Sequence, residues 1–470
     1  MLLKGKSDTP LQFKVFHTLA GFAVFFSLIS VPAEAQLIDF AGISLASELL
    51  WWPMAFFCFQ LIYEIYGLAY LRHTLYLVIM CRTVYILFLK FAIWLPASSF
   101  WSMQEVYSQV LGRDWNYLIK SSFLLWAFIL LPNVLCDRLN KIIRQYSTTI
   151  ALLIFCLLNL IWINTRQQTA LTQLIIPLLL FLFLNIFFSR LSNAISKIEQ
   201  FQHHRNNQGS IFTFYVPNLA GNRKFKYHHL LFCSSIVFFI ASKTMAAKFI
   251  SIGFFTINVG GIVFSLAYLA ADMMTDVYGI ERTKQMVLFV IFCNLLLVFD
   301  VWLTNHLAIG ENDPFKMVLH NQARMFIASA TAYFLGMTIN STVISIIKSK
   351  QRRRGIVLKK EFITTVWTRI ATSSAFGIII DVSLFSLVAF YGIVPNEKLA
   401  SVIVFEDAYK IFYEFLLAPI SILLIYFLKV KEKVDIYDEL SNLNPFRIDT
   451  NYKLNANKFH ENYINPKNKP

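Results

Sequence analysis

Long apolar runs separated by short polar breaks dominate this chain. The first set lies near 13–31, 44–64, 74–95, 118–136, 148–164 and 170–189. A polar stretch follows, and then a second set near 229–250, 255–275, 285–305, 322–346, 364–391 and 406–428. At about 1.5 Å rise per residue, runs of this length approach or exceed what crosses ~30 Å of hydrocarbon. They are apolar in blocks rather than striped on one face, as spanning helices are. The pattern predicts an all-α integral membrane protein with about twelve transmembrane helices. The first run continues without a small-residue cleavage site and is read as a permanent helix. The polar segment from Arg190 to Lys226, with His203, His204, Arg205, Asn206 and Asn207, reads as a linker.

Composition removes the soluble alternative. Only 15% of the residues are charged and 57% are hydrophobic, against roughly 25% charged in an ordinary soluble domain. The net charge of +15 lies in short segments between apolar runs, which is loop chemistry on a membrane protein and argues against a nucleic-acid partner. Cys58, Cys81, Cys136, Cys156, Cys233 and Cys293 stand singly and read as small core residues.

Alternate loops carry very different numbers of Lys and Arg. One set holds Lys4, Lys6 and Lys14, Arg72, Arg138, Lys141 and Arg144, the linker, Arg282 and Lys284, Lys348 to Lys360, and Lys429 to Lys433. The other has little beyond Arg113, Arg166, Lys316 and Lys398. The positive-inside rule then places both termini and the linker on the cytoplasmic side of a bacterial inner membrane. Arg352, Arg353 and Arg354 could meet anionic lipid headgroups, and topology anchoring is the simpler account.

A shift of 212 positions superposes the chain on itself without a gap. Ser30 falls on Ser242, Ala35 on Ala247, Ile38 on Ile250, Tyr66-Gly67 on Tyr278-Gly279, and Cys81 on Cys293. Glu64 falls on Asp276 in the same register. Two parallel six-helix repeats are expected, related by an axis along the membrane normal. The first looks degenerate, with Gln60 for Asp272, Val31 for Lys243 and Gln36 for Lys248. The domains are therefore a degenerate repeat over 1–190, a cytoplasmic linker over 191–227, a second repeat over 228–430 and a polar cytoplasmic tail over 431–470.

Ionisable side chains inside spans cost a few kcal/mol on insertion scales and so face a partner or a wet cavity. The pattern concentrates them in the second half as Asp272, Asp276, Arg324, Arg369, Asp381, Lys410 and Glu414. Asp272 with Asp276, and Lys410 with Glu414, are four apart and share a helix face. Arg369, Ser373, Gly377 and Asp381 also step by four. This places Arg369 near the depth of Asp272, and Asp381 nearer Glu414 and Lys410, giving two charge clusters. Lys410 is the expected partner of Asp381. Ala328, Ala332, Gly336 and Asn340 form a small-residue ridge assigned to close helix packing. There is no GxSxG, HExxH, P-loop or GxGxxG beside a strand, and the pairs His203/His204 and His228/His229 lack further ligands at metal spacing. No enzyme activity, metal or cofactor is expected.

The run Ala270-Ala271-Asp272-Met273-Met274-Thr275-Asp276-Val277-Tyr278-Gly279 resembles the signature of the queuosine-precursor transporter family, also called the VUT family of vitamin uptake transporters. The resemblance extends through Arg324 with Ser329, Tyr333 and Gly336, and through Arg369 to Asp381 ahead of Ala389-Phe390-Tyr391-Gly392. It ends at Lys410, Glu414 and Pro419, and so covers about 230–430. It implies import of deazaguanine bases, preQ0 or preQ1. A typical member has Glu where Asp276 stands, Asn near Lys243, Gln near Met337 and Ile378, and one copy instead of two.

Such a flat solute wants carboxylate acceptors and aromatic walls. Asp272, Asp381 and Glu414 could accept, with Phe264, Tyr268, Phe385 or Tyr413 stacking. Expected partners are thus a small-molecule substrate and membrane lipids, with a homo-oligomer left open. Alternatives are a substrate-binding subunit energised by a separate ATPase, a lipid-modifying membrane enzyme, and a non-transporting scaffold.

Overall fold

The computed structural model describes residues 13–40, 43–98, 101–130, 132–133, 141–158, 175–199, 225–246, 248–252, 255–307, 323–353, 359–392, 396–438 and 444–448. His203 and His204, Cys136, the loop around Asn312, the side chains of Arg352 to Arg354 and the tail beyond 448 lie outside the described residues. Elements of the first half are α1 (Phe16–Ala33), β1 (Leu37–Phe40), β2 (Ile43–Ala46), α2 (Trp52–Tyr66), α3 (Leu68–Trp94), α4 (Gln104–Leu111), α5 (Trp115–Leu125), α6 (Lys141–Leu158) and α7 (Ile175–Glu199). Those of the second are α8 (His228–Met245), β3 (Phe249–Ile252), β4 (Phe255–Asn258), α9 (Val259–Tyr278), α10 (Ile280–Leu307), α11 (Ala323–Arg353), α12 (Lys359–Phe390) and α13 (Asn396–Glu432).

Ten helices among the described residues are long and apolar enough to cross a membrane, against the twelve expected. The second half supplies six and the first supplies four. The shortfall falls on α5, which widens into a π-turn over Trp126–Leu130, and on α6, whose apolar part is only Thr149–Leu158. Contacts nevertheless carry this segment from one end of the bundle to the other. Arg113 pairs with Glu34 beyond the end of α1, whereas the Asn133 carbonyl accepts from the Tyr63 hydroxyl at the opposite end of α2 (3.4 Å). The Phe155 ring of α6 then meets Trp52 at the start of α2 (4.7 Å). Helix α7 continues past Arg190, so the linker's first residues are helical.

The 212-residue register recurs in three dimensions. Residues 37–46 and 249–258 form antiparallel hairpins with equivalent pairings, Leu37 with Ala46 and Phe249 with Asn258. Each hairpin occupies the expected break between two spans and takes up residues at its edges, 44–46 in the first half and 249–250 and 255–258 in the second, that were expected to be helical. Gly67 and Gly279 each adopt φ 89°, a region that favours a residue without Cβ, and each turns one span directly into the next. Glu199 at the end of α7 accepts from the Val15 amide (2.7 Å) and the Tyr66 hydroxyl (2.8 Å). Glu432 at the end of α13 accepts from the Tyr227 amide (2.7 Å) and the Tyr278 hydroxyl (2.9 Å). Because Val15 and Tyr66 become Tyr227 and Tyr278 under the shift, the two halves close on themselves in the same way. Each also ends on the side where it began, called here the near end. The hairpins mark the opposite, hairpin end.

Helices α1 and α8 pack on each other across the junction, and one buried apolar core runs through both halves. The Trp51 indole donates to Asp300 across the same junction (3.0 Å). His17 and His228 rings stand 5.0 Å apart there, and the ring nitrogens of His73 and His229 hydrogen-bond. Helices α11 and α12 approach most closely at Gly336 and Gly377, where a Cβ on either would sit 3.0 Å from the other's carbonyl oxygen. The small-residue ridge thus coincides with a close crossing, which sets α11 against α9 and lets Gly377 and Ser374 of α12 reach Tyr268 and Asp272 of α9.

Candidate functional site

Four helices of the second half, α9, α11, α12 and α13, bring the expected charges to three depths instead of two. At the near end Asp276 is fully buried and lies at the centre of an ion network. Arg369 of α12 holds it with two parallel N–H donors, Nε at 2.8 Å and Nη2 at 3.0 Å, the planar fork that matches a carboxylate. Lys429 of α13 lies 2.7 Å from Asp276 Oδ1, and Lys348 of α11 lies 3.6 Å from it. Both lysines also reach Asp435, at 2.8 and 2.7 Å. Beyond the spans, Asp435 loses hydration on burial, but the Lys348 and Lys429 ammonium groups hold its carboxyl below the usual carboxylate range. Arg369 therefore pairs one turn away from Asp272, the depth at which it was expected.

One turn inward, Asp272 accepts from Asn340 Nδ2 (2.6 Å) and from Ser374 Oγ (3.2 Å). Asn340, assigned above to packing, thus also has a polar role. Glu414 of α13 is buried within electrostatic reach of Asp272, and its Oε1 has no hydrogen-bond partner. Tyr268 stands among Asp272, Asp381 and Glu414 and donates to the Gly377 carbonyl (3.3 Å).

Toward the hairpin end lies a cavity of about 80 Å³, room for several water-sized groups. Its charged lining is Lys243, Asp381, Glu406 and Lys410, and its aromatic lining is Phe249, Phe264, Phe385 and Tyr409. Lys243 donates to Ser329 Oγ, and its ammonium lies over the Phe264 ring at 5.3 Å. Lys410 ion-pairs with Glu406 one turn earlier on its own helix (3.9 Å), not with Asp381 as expected. The i,i+4 carboxylate is nearer than one on a neighbouring helix. Asp381 lies within electrostatic reach of both lysines. The stripe Arg369, Ser373, Gly377 and Asp381 thus runs buried from the network to the cavity.

Arg324 stands apart. It is exposed and donates to the Val388 and Tyr391 carbonyls (2.7 and 2.8 Å), capping the end of α12. Tyr413 is half-buried outside the cavity lining. Sequence reasoning missed Lys348 and Lys429, which were counted as loop anchors, and Asp435, which was assigned to the tail. Their only local signal was position at a span end, where basic residues are ordinarily anchors.

The first half also keeps buried charge, contrary to the expected loss. Arg82 donates to the Ser27 carbonyl (2.9 Å), Ser30 Oγ (3.0 Å) and Tyr117 Oη (2.5 Å), with its guanidinium 5.1 Å above the Trp52 ring. Arg113 pairs with Glu34 (3.1 Å), and Trp52 donates to the fully buried Glu48 (3.3 Å). Glu34 and Arg113 lie between the first half's apolar runs in sequence, and their pairing folds them inward, whereas Glu48 lies within the second run.

Comparison with curated proteins and with solved structures gives no match. A protein-family model described as "Putative vitamin uptake transporter" matches residues 258–424, from the N-cap of α9 into α13. With ten helices of membrane length, that match makes the chain a multi-pass membrane protein whose second half is similar to a family of vitamin uptake transporters.

Proposed function

We propose that the chain imports a small polar solute across a bacterial inner membrane, and that the solute is a deazaguanine base, preQ0 or preQ1. The observation that carries this reading is an amphoteric, aromatic-walled cavity stacked above a closed ion network, both built mainly from the family-matching residues and completed by Lys243 before them and Lys429 and Asp435 after them. Asp381 and Glu406 would accept from ring N–H and amine groups, while Phe264 and Phe385 would stack on the ring faces. The near end is cytoplasmic under the positive-inside rule, so the cavity faces outward and the Asp276 network closes the inner side. Twelve crossings fit the contacts of α5 and α6 described above. On this reading the first repeat is a scaffold derived by tandem duplication, and Arg324 serves the frame instead of the solute.

Uptake of labelled preQ0 and preQ1 by queuosine-deficient cells expressing the chain tests the proposal. Accumulation that rises with expression supports it, and no accumulation of either base sinks it. The presence of Lys243 beside Lys410 favours one second reading, a carboxylate-bearing vitamin. Competition of uptake by such anions, but not by deazaguanines, would select it. A stably copurifying ATPase would instead mark the chain as a binding subunit.

A further inference from the structure

We infer that Glu414 is a proton-binding site distinct from the solute cavity, and that its protonation couples import to the proton gradient. The inference rests on the import reading, but its first test does not.

Glu414 lies within electrostatic reach of Asp272, midway between the cavity and the network. Along α9 the order is Phe264 at the cavity, then Tyr268, then Asp272, then Asp276 in the network. Along α13 it is Lys410 at the cavity, Glu414 one turn (about 6 Å) further on, and Lys429 in the network. The pair therefore lies between the two charged layers and belongs to neither.

The chemistry of the two carboxyls differs. Both oxygens of Asp272 accept hydrogen bonds, from Asn340 and Ser374, an arrangement that suits an ionised carboxylate. Glu414 is 95% buried by its 5% exposure, and its Oε1 has no partner. An unpaired ionised carboxylate in that position would carry a desolvation cost of several kcal/mol, which adding a proton removes.

Among the described residues the cations nearest to Glu414 are engaged elsewhere, Lys243 with Ser329 and Lys410 with Glu406. Helix α9 presents Asp272, with Asp276 one turn away and engaged by Arg369 and Lys429. Helix α11 presents Asn340 and Tyr333, and α12 presents Ser374 and, toward the cavity, Asp381. On α13 itself the nearest cation is Lys410, which pairs with Glu406. A sodium ion would want about five or six oxygens, and the Asn340 donor on Asp272 occupies one of the few available. Among the described residues no three metal-ligating side chains gather. A proton is the ligand that fits: it adds to a Glu414 carboxylate oxygen from water on the cavity side and leaves as a hydrated proton toward the near end.

Infrared difference spectroscopy on the full chain in lipid vesicles, from acid to alkaline pH, reads the site directly. Wild type and an exposed control, Glu105→Gln, should lose a protonated-carboxyl C=O band on alkalinisation that Glu414→Gln lacks throughout. Identical difference spectra for wild type and Glu414→Gln overturn the proposal, as does loss of the band on adding sodium at constant pH. Gln has the size of the neutral acid, so Glu414→Gln should reach wild-type abundance. Collapse of its abundance with Glu414→Asp unaffected would mean that an ionised Glu414 holds an ion pair, and would also overturn it. In the transport arm, pH-gradient-driven accumulation of labelled preQ1 should be lost in Glu414→Gln and restored in part by Glu414→Asp. If wild type moves neither preQ0 nor preQ1 while the spectra behave as expected, the solute assignment fails and the proton site stands.

Discussion

The two halves share a backbone plan and use buried charge differently. In the first, Arg82 and Arg113 are matched to Glu34, Tyr117, Ser30 and backbone carbonyls in one layer at the hairpin end. In the second, charge runs the length of α9, α12 and α13, with a cavity at one end and a network at the other. The halves therefore share what sets helix direction, the glycine turns and a glutamate that closes each half on its own first helix. They do not share which depths hold polar groups. A matched cluster in a single layer ties helices together, whereas charges at successive depths can hand a polar solute from one to the next.

Substitution at the second half's inner layers should have the largest effect. Asp272→Asn and Arg369→Ala are each expected to abolish uptake, while Gln60→Ala, at the position equivalent to Asp272, barely changes it. Equal losses at Gln60 and Asp272 in a transport assay would show that both halves carry working sites. Asp276→Asn should also lower the amount of folded protein, because removing one partner of a buried ion pair costs about 3 to 5 kcal/mol. Detergent-solubilised thermal unfolding would register this as a clear drop in Tm.

Next in size is Arg82→Met in the first half. It leaves Tyr117 and Ser30 without their donor and should cost about 1.5 to 3 kcal/mol, typical of hydrogen bonds to a charged group. Uptake per folded molecule should stay at the wild-type level. A selective fall in uptake would make the first half part of the pathway. Gly67→Val and Gly279→Val should destabilise alike, by about 1 to 3 kcal/mol, since both residues hold φ 89°. Unequal losses would break the equivalence of the halves.

The smallest effect concerns acid. The folded-state pKa of Asp435 is depressed, so its contribution is present above the ordinary carboxylate value of about 3.9 and is lost as pH falls through the lower folded value. Asp435→Asn should therefore reduce stability at neutral pH and flatten the acid limb of an unfolding-versus-pH curve below about pH 4.

Much of this was legible in the chain itself. Apolar run length located ten spans of the twelve expected, and the breaks at 32–43 and 251–254 fell on the two hairpins, whose edge residues were read as helix. Stretches such as Phe249–Ile252 are apolar for either structure, and periodicity over four residues cannot separate the two. The stripe from Arg369 to Asp381 was visible because one helix carries it. Lys348 and Lys429 were not, because only the packing of three helices around Asp276 distinguishes a buried cation from a loop anchor. Arg324 was misleading for the opposite reason: it looked embedded, yet it meets carbonyls at a helix end.

The paired glutamate clasps have a consequence for biogenesis. Glu199 closes the first half onto the amides of Lys14 and Val15, and it is made before any residue of α8. A ribosome-bound chain can thus finish and seal its first half while the second is still being synthesised. Once Glu432 has emerged, the second half can assemble against an already closed surface formed by α1 and α3.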